Sequence, residues 1–513
     1  MKRIFLYGFV ALAASLLLVS AIVNAAPPTQ GSVPPSTPKP TRDPVKQATR
    51  RAIRVATETA ATPPPSAVEQ EEDATAAELA PIAPGAMTSQ ILIFNPDTSG
   101  AAMVKLDVYD ANGAVAYTTT ENVSANGMKL LTLPGSLGTN FQGGAQISSD
   151  KNVQAIVLGA NGKQTARDSY AGTIAPALDV TLPLVRHLAA NTQNSTLAIQ
   201  NTTATAATAT VTFYNLDGST ANTQTLNLAA HQSAYLNTDT IFPSSTFVGS
   251  ARVLSDQPVA VAAQTLYYKD TAAFDGNAAS ASDTLLFANQ AARKINSSAV
   301  AVEWSEIFVR NNGAGETDVT LDVYSLTGTS VASFTVNNVP ANGSAQFLLN
   351  EENFAALGSA FTGWVKISSS GEPLSATMLQ IFNKGNRMYS INALANNSAG
   401  VRYVCGDVAR MATQNSRVAI LNTGDANVRV IVRLFHPETG AKIVQTRVVV
   451  PAKTTATVLL SDSKFAAAGT NYQGMALVFA KGAAPPKIVV TVSNPYVNKK
   501  LAGTTGYECS KMQ

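Results

Sequence analysis

The chain has 513 residues, of which 45% are hydrophobic and 13% are charged, and its formal net charge is +3. The charged share is about half of the quarter that soluble domains usually carry, so neutral polar residues must cover much of the surface. This composition is typical of extracellular β-proteins and unusual for cytosolic enzymes, and the small net charge alone predicts no polyanionic partner. At about 100–200 residues per domain, the length allows three to five domains.

The first 25 residues have the layout of a secretory signal peptide. Lys2 and Arg3 precede an apolar run over residues 4–23, and Val23-Asn24-Ala25 supplies the small residues of a cleavage site. We therefore predict cleavage after Ala25 and a secreted or cell-surface protein of bacterial type. The alternative is an uncleaved signal anchor, because about 20 apolar residues are enough to span a bilayer.

Residues 26–85 are rich in Pro, Thr and Ala. Such a segment cannot bury enough apolar surface to offset the entropy lost on ordering. We predict a disordered linker here, which separates the signal peptide from the folded part of the chain.

From residue 86 onward, short β-branched runs alternate with clusters of Gly, Asn, Asp and Ser, which predicts strands and turns. A repeat of about 105 residues occurs four times. Each copy contains a strand that ends in Asn, a turn Gly 17 or 18 residues later, and an aromatic-x-Gly 48 or 52 residues after the Asn. The Asn residues are Asn95, Asn201, Asn311 and Asn422, and the turn glycines are Gly113, Gly218, Gly328 and Gly440.

This repeat predicts four tandem immunoglobulin-like antiparallel β-sandwich domains, at residues 86–186, 187–292, 293–400 and 401–513. The Asn can hydrogen-bond its own loop, and the turn Gly permits a positive φ in a hairpin. We expect the four units to form a rod in which each unit contacts only its neighbours in sequence.

The second unit contains Leu182-Pro183-Leu184-Val185, a Phe-x-Gly-Ser-Ala segment at residues 247–251 and Ser255-Asp256-Gln257-Pro258. In these motifs it resembles a loosely described group of exported bacterial repeat proteins. The third and fourth units depart from the last motif, with Ser-Gly-Glu-Pro at 370–373 and Ala-Ala-Pro-Pro at 483–486. The resemblance covers about residues 86–513 and implies a β-sandwich protein at the cell surface. It implies no activity.

The chain has two cysteines, Cys405 and Cys509, which lie near the two ends of the fourth unit. Exported proteins meet an oxidising environment, and two cysteines allow one intrachain pairing. We predict a disulfide between Cys405 and Cys509 that closes the fourth unit. The alternatives are two free thiols or an intermolecular bridge through Cys509.

The sequence predicts no enzyme, no metal site and no cofactor. His187, His231 and His436 fall at non-equivalent places in the repeat, whereas a metal site needs several ligands at short spacing. Ser-Asp-Ser-Lys at 461–464 matches a Ser-x-x-Lys motif, but it occupies a predicted loop and lacks the companion motifs.

Three aromatic residues, Trp304, Tyr267 and Tyr268, are candidate glycan contacts, because an exposed ring can stack on a sugar. Packing in the core or at a sheet edge is the favoured alternative. These residues keep an extracellular carbohydrate-binding protein as the second candidate function.

The charge distribution is asymmetric along the chain. Residues 86–185 carry 5 basic and 7 acidic side chains, whereas residues 401–513 carry 14 basic and 5 acidic ones. A cationic unit on a nearly neutral chain favours docking on an anionic polymer such as cell-envelope polysaccharide. A basic unit without a specific partner is the alternative. The candidate contacts are Arg429, Arg433, Lys487, Lys499, Lys500 and Lys511.

We therefore expect a non-enzymatic structural or adhesive protein, secreted or held at the cell surface. Its expected partners are envelope polysaccharide, other surface proteins or further copies of the chain. Nucleic acid is disfavoured because the chain is exported and lacks a binding motif. We expect no transmembrane segment once the signal peptide is removed.

Overall fold

The structure is a computed structural model that describes residues 17–23, 87–138, 141–161, 167–173, 175–188, 193–267, 270–382, 387–482, 486–495 and 504–512. The predicted linker and the predicted cleavage site after Ala25 lie outside these ranges. The prediction of an all-β fold is confirmed, because the described residues form strands β1 to β34, helix α1 (Thr238–Ile241) and short 3₁₀ turns. The turns are Gly135–Leu137, Ala279–Ala281, Glu352–Leu357, Asn396–Ser398 and Ser463–Ala468.

The strands fall into four groups along the chain. The first group is β1 (Leu17–Val23), β2 (Met87–Phe94), β3 (Ala102–Asp110), β4 (Val115–Val123), β5 (Met128–Thr132), β6 (Gly143–Ser149), β7 (Gln154–Asn161) and β8 (Arg167–Ala171). The second is β9 (Ala177–Leu188), β10 (Gln193–Asn201), β11 (Ala207–Asn215), β12 (Thr220–Leu228), β13 (Ser233–Asn237), β14 (Phe247–Tyr267), β15 (Asp270–Asp275) and β16 (Asn277–Ala278).

The third and fourth groups repeat this succession. The third is β17 (Leu285–Ile295), β18 (Ala301–Asn311), β19 (Thr317–Ser325), β20 (Ser330–Val339), β21 (Ser344–Leu348), β22 (Ala360–Ser369), β23 (Leu374–Phe382), β24 (Arg387–Asn392) and β25 (Leu394–Ala395). The fourth is β26 (Arg402–Met411), β27 (Arg417–Asn422), β28 (Val428–Phe435), β29 (Lys442–Val450), β30 (Thr455–Leu459), β31 (Asn471–Lys481), β32 (Ile488–Pro495), β33 (Thr504–Glu508) and β34 (Ser510–Lys511).

One pairing scheme recurs in all four groups and builds two facing sheets in each. The first sheet has the orders β1-β6-β3-β4, β9-β14-β11-β12, β17-β22-β19-β20 and β26-β31-β28-β29. The second has the orders β5-β2-β7-β8, β13-β10-β14-β15, β21-β18-β23-β24 and β30-β27-β32-β33. Among the described strands, β1 with β6 is the parallel pair, and β14 is long enough to serve both sheets.

The first strands of the first three units lie earlier in the sequence than the repeat motifs indicate. The predicted boundaries at 187 and 293 fall inside β9 and β17, which pair with the later strands of their own units. In the first unit, β1 takes the corresponding place beside β6. Signal-peptide cleavage stays a prediction, because the structure is that of the chain with these residues present.

The repeated Asn has the predicted role in every unit. Asn311 is fully buried, and its Nδ2 donates to the carbonyl oxygens of Gly315 at 2.7 Å and Val339 at 3.0 Å. Its Oδ1 accepts from the Gly313 N–H at 2.9 Å. The same side-chain bonds hold the loops after Asn95, Asn201 and Asn422. One amide therefore satisfies several backbone groups at the end of each sandwich.

The turn glycines dock each unit on another. All four have positive φ, from +66° to +87°. An added Cβ would lie 1.7–2.6 Å from a carbonyl oxygen of the facing unit, so only Gly fits. The contacts are Gly113 with Ala230, Gly218 with Ala341, Gly328 with Lys453 and Gly440 with Ala125. Because the last contact returns from the fourth unit to the first, the units close into a ring, and the expectation of a rod is wrong.

Apolar clusters span the four junctions of this ring. Leu92 and Phe94 of the first unit belong to the core of the fourth, and Trp304 and Phe308 of the third belong to the core of the second. Alanines of the second unit join the core of the first, and Phe287 and Trp364 meet Leu421 and Val489 across the last junction. The sandwiches therefore share their cores instead of standing as independent beads.

The centre of the ring is polar. Strands β8, β15, β24 and β33, one from each unit, lie side by side in a closed sequence of contacts. The buried Asp270 carboxylate accepts from its neighbour Thr271 N–H at 3.0 Å, from Arg167 N–H of the first unit at 3.1 Å and from Met388 N–H of the third unit at 3.0 Å. Burial raises the pKa of Asp270 well above its usual range, and these three N–H donors oppose that shift.

Candidate functional site

Basic side chains line the outer face of one sheet in the fourth unit. Arg429 and Arg433 point the same way from β28, because side chains two residues apart share a face of a strand. The register places Lys481 of β31 directly opposite Arg429, and Arg447 of β29 opposite Ile431 on that same face. Arg402 of β26 lies opposite Phe479. We call the set Arg402, Arg429, Arg433, Arg447, Lys481 and Phe479 the basic sheet face.

The aromatic ring of Phe479 sits at the middle of this face. The Arg433 guanidinium carbon lies 4.7 Å from the ring centroid, in a cation–π contact, and its Nε donates to Gln445 Oε1 at 2.6 Å. These two contacts hold the guanidinium at the Phe479 ring. Its other N–H groups are donors from which an incoming anion can accept hydrogen bonds.

The charge of the basic sheet face is not neutralised. Among the described residues, none of its five cations forms an ion pair. Three of them, Arg429, Arg447 and Lys481, are exposed. The corresponding sheet of each other unit carries one cation with an acidic partner at 2.7–2.8 Å. These pairs are Lys105–Asp107, Arg252–Asp179 and Lys366–Asp322.

The single acid on strands β26, β28, β29 and β31 does not face these cations. It is Asp407, which is 2% exposed and accepts hydrogen bonds from Gln473 at 2.6 Å and Asn494 at 3.1 Å. Burial raises the pKa of Asp407 to about 6. Arg429 and Lys481 thus stand as a directly opposed pair of like charges, an arrangement that weakens a sheet unless an anion compensates it.

The other predicted polyanion contacts lie elsewhere. Lys487 is exposed at a cleft of about 610 Å³ between the third and fourth units, where Lys366 and Lys453 are already paired with Asp322 and Asp425. Lys511 belongs to β34, and its Nζ donates to the Asn397 carbonyl oxygen at 3.3 Å. Lys499 and Lys500 lie outside the described residues. The structure therefore unites Arg429 and Arg433 and leaves Lys487 and Lys511 apart from them.

The structure does not support Trp304 as a glycan contact. Its side chain is only 6% exposed and packs in the core shared by the second and third units. The indole N–H donates to Glu306 Oε1 at 3.2 Å. A ring buried in this way offers no open face to a sugar. Tyr267 ends β14, and its side chain, like the whole of Tyr268, lies outside what the structure describes.

The three histidines lie in three different environments. His187 is buried, His436 is exposed, and His231 stacks on Tyr109 with ring centroids 4.5 Å apart. Burial lowers the pKa of His231. Within the described ranges, no three His, Cys, Asp or Glu side chains form a group that could hold a metal ion.

The predicted disulfide is present. Cys405 of β26 is bonded to Cys509, which lies between β33 and β34. The bond fixes β34 beside β26, where Tyr403 pairs with Lys511 and Val404 with Ser510. The disulfide therefore anchors the last described strand to the edge of the sheet that carries the basic sheet face.

In the described part of the chain, no helix has the length and hydropathy to cross a bilayer. No protein-family model and no curated protein matches the chain. Solved structures match at TM-scores of 0.10. The trypsin-activated alpha-2-macroglobulin from Escherichia coli is 9% identical over 84% of this chain. The infectious bursal disease virus Gx strain is 10% identical over 83% of this chain and 84% of its own. The chain spans only 41% of the macroglobulin, and likenesses this weak identify no family.

Proposed function

We propose that this chain is a non-enzymatic structural or adhesive protein of the outer cell surface, and that it docks on an anionic polymer such as envelope polysaccharide through the basic sheet face. The observation that carries the proposal is the contrast between units. Lys105, Arg252 and Lys366 on the corresponding sheets of the first three units are paired with carboxylates, whereas none of the five cations of the basic sheet face has a carboxylate partner among the described residues.

The shape of the face suits an extended polymer. Four strands at a spacing of about 4.8 Å make a nearly flat surface about 15 Å wide, and it is long enough to meet several charged units of a chain at once. Because exposed charges are screened within about 10 Å at 0.1 M salt, binding of this kind is expected to be weak per contact and to fall steeply with ionic strength.

The surroundings of the site support the same function. The signal-peptide layout of residues 1–25 supports export, and the two-sheet unit of about 105 residues supports the immunoglobulin-like type that is common in extracellular proteins. The ring gives the face a rigid mounting, since the fourth unit is held by the third on one side and the first on the other.

Retention on an immobilised acidic polysaccharide such as alginate tests the proposal. The double variant Arg429→Gln/Lys481→Gln removes the opposed cations and should elute at clearly lower salt than the parent chain. The control Lys487→Gln/Lys511→Gln removes the same charge from positions outside the face and should elute close to the parent. Equal losses in the two variants would show that net charge, and not the basic sheet face, causes retention.

A further inference from the structure

A second cleft lies between the third and fourth units. Its volume is about 300 Å³, at the lower end of the range for small-ligand pockets. Strands β17, β18, β22 and β24 form one wall, and β27, β30 and β32 form the other. We call it the guanidinium cleft, after Arg387 and Arg417, which line it from opposite walls.

Among the residues that the structure describes, neither of these two arginines has an acidic partner. Arg387 is half-buried, and its Nε makes no hydrogen bond, while Arg417 is exposed. Among the described residues that line the cleft, the one acid is Glu303, and it already accepts from Lys294 at 2.5 Å and Gln380 at 3.2 Å. The two guanidinium groups therefore leave an uncompensated positive charge in a confined space, which suits a carboxylate, because guanidinium binds carboxylates in a planar, two-bond geometry.

A buried amide supplies a neutral donor in the same cleft. Asn289 is 0% exposed, and its Oδ1 accepts from Gln290 N–H at 2.9 Å and Thr455 Oγ1 at 3.2 Å. This assignment leaves the Nδ2 group without a partner. A buried donor without an acceptor is unfavourable, and a ligand oxygen at this point would accept its hydrogen bond.

The backbone next to Asn289 is also held in a rare conformation. Gln290 has a φ of +66°, and its side chain ties the two units together through Thr491 at 2.9 Å and Ser493 at 2.8 Å. Residues other than Gly rarely have a positive φ, and this conformation persists only where the surrounding structure holds it. The bulge at this point turns Asn289 towards the fourth unit, where its Oδ1 meets Thr455.

The remaining lining is a half-buried aromatic ring with several hydroxyl groups. Phe382 lies against Tyr389 with ring centroids 5.5 Å apart, and Thr362, Thr457 and Ser493 bring side-chain oxygens to the cleft. A partly exposed ring with hydroxyl, amide and guanidinium groups around it matches a sugar that carries a carboxylate. A neutral sugar has no group that would use the two cations. A simple inorganic anion has no group that would use the aromatic ring, and it does not need the hydroxyl and amide groups.

We infer that the guanidinium cleft binds one residue of an acidic saccharide, a uronic acid. Arg387 and Arg417 hold its carboxylate, Asn289 Nδ2 donates to a ring or hydroxyl oxygen, and Phe382 covers an apolar edge of the ring. In the fourth unit the cleft belongs to the sheet opposite the basic sheet face, and the inference does not depend on polymer docking there.

Nuclear magnetic resonance titration of the full oxidised chain with D-glucuronate and with D-glucose tests this inference. Glucuronate should bind in the millimolar range or tighter, and glucose at least tenfold more weakly. The variant Arg387→Gln/Arg417→Gln should weaken glucuronate at least tenfold, because it removes both charge-assisted contacts. The control Lys487→Gln/Lys511→Gln, with the same loss of charge outside the cleft, should bind like the parent.

Three results would overturn the inference: no glucuronate binding by the parent chain, unchanged binding by the Arg387/Arg417 variant, or acetate binding as tightly as glucuronate. The last would show an anion site without sugar recognition. The circular dichroism spectrum of each variant checks the fold, since both arginines reach solvent and neither is a core residue. Loss of alginate retention in Arg429→Gln/Lys481→Gln with intact glucuronate binding would separate the two sites.

Discussion

One glycine, Gly440, lies at the junction between the fourth and first units, and its replacement should weaken that junction. An Ala at Gly440 would place Cβ 1.7 Å from the Ala125 carbonyl oxygen, so the turn must move away from the first unit. Two bonds across this junction would then be lost, from Met128 N–H to Pro437 O at 2.6 Å and from Ser124 Oγ to Glu438 O at 2.7 Å. At about 1 kcal/mol each, they add about 2 kcal/mol to the cost of a positive φ.

Gly469 is the matched control for Gly440→Ala. Its φ of +75° is close to the +66° of Gly440, but nothing lies within 4 Å of its Cβ position. Gly469→Ala should therefore carry only the conformational cost, about 1 kcal/mol. The difference of about 2 kcal/mol corresponds to about thirtyfold more frequent opening of the junction. Hydrogen–deuterium exchange of the peptide that contains Ser124 and Met128 measures it, and equal exchange in the two variants would refute ring closure through this turn.

Two further predictions concern the stability of the ring. Burial raises the pKa of Asp275 and of Asp407 to about 6, above the unfolded value of about 3.9. The folded state therefore binds more protons than the unfolded state between these values, and the free energy of unfolding should fall as pH rises from about 4 to 6. Urea midpoints at pH 4.5 and 7.5 check this, and equal midpoints for the parent chain would contradict it. Cys509→Ser should lower the free energy of unfolding by at most about 4.7 kcal/mol. Because Phe94 of β2 packs in the core of the fourth unit, hydrogen–deuterium exchange should also increase in β2. An increase confined to the fourth unit would contradict a shared core.

Local chemistry accounts for the part of the fold that could be predicted from the sequence. The strand-ending Asn bonds within about 30 residues of itself, and the positive φ of the turn Gly belongs to its own hairpin, so these two features follow from side-chain and backbone preferences alone. The disulfide followed from there being only two cysteines. Ring closure depends instead on the Gly440 turn meeting Ala125, more than 300 residues away, and no pattern within one repeat distinguishes a ring from a rod.

The candidate site was predictable only in part for a similar reason. Arg429 and Arg433 were found because the fourth unit is basic, but a charge count cannot tell which side chains share a face. Arg402, Arg447 and Lys481 were missed because their alignment with β28 depends on strand register. The even spacing of Arg429 and Arg433 in β28 indicates that these two share a face, whereas β29 holds no such signal for Arg447, because Lys442 lies five residues from it. The sequence does not show that Trp304, a candidate glycan contact, is buried against the second unit.

The internal repeat bears on whether folding requires the charge of the fourth unit. Arg433 and Asp322 both lie eleven residues after the repeat Asn of their units, and Thr212 holds that position in the second unit. In the third unit the Asp neutralises Lys366 across the sheet. In the fourth unit an Arg stands there instead and is supported by stacking on Phe479. A neutral or acidic residue fits this position in the same fold, so sandwich formation does not require the cation. The cation at this position is therefore not required by the fold, and its presence among the other cations of the basic sheet face supports the proposed docking on an anionic polymer.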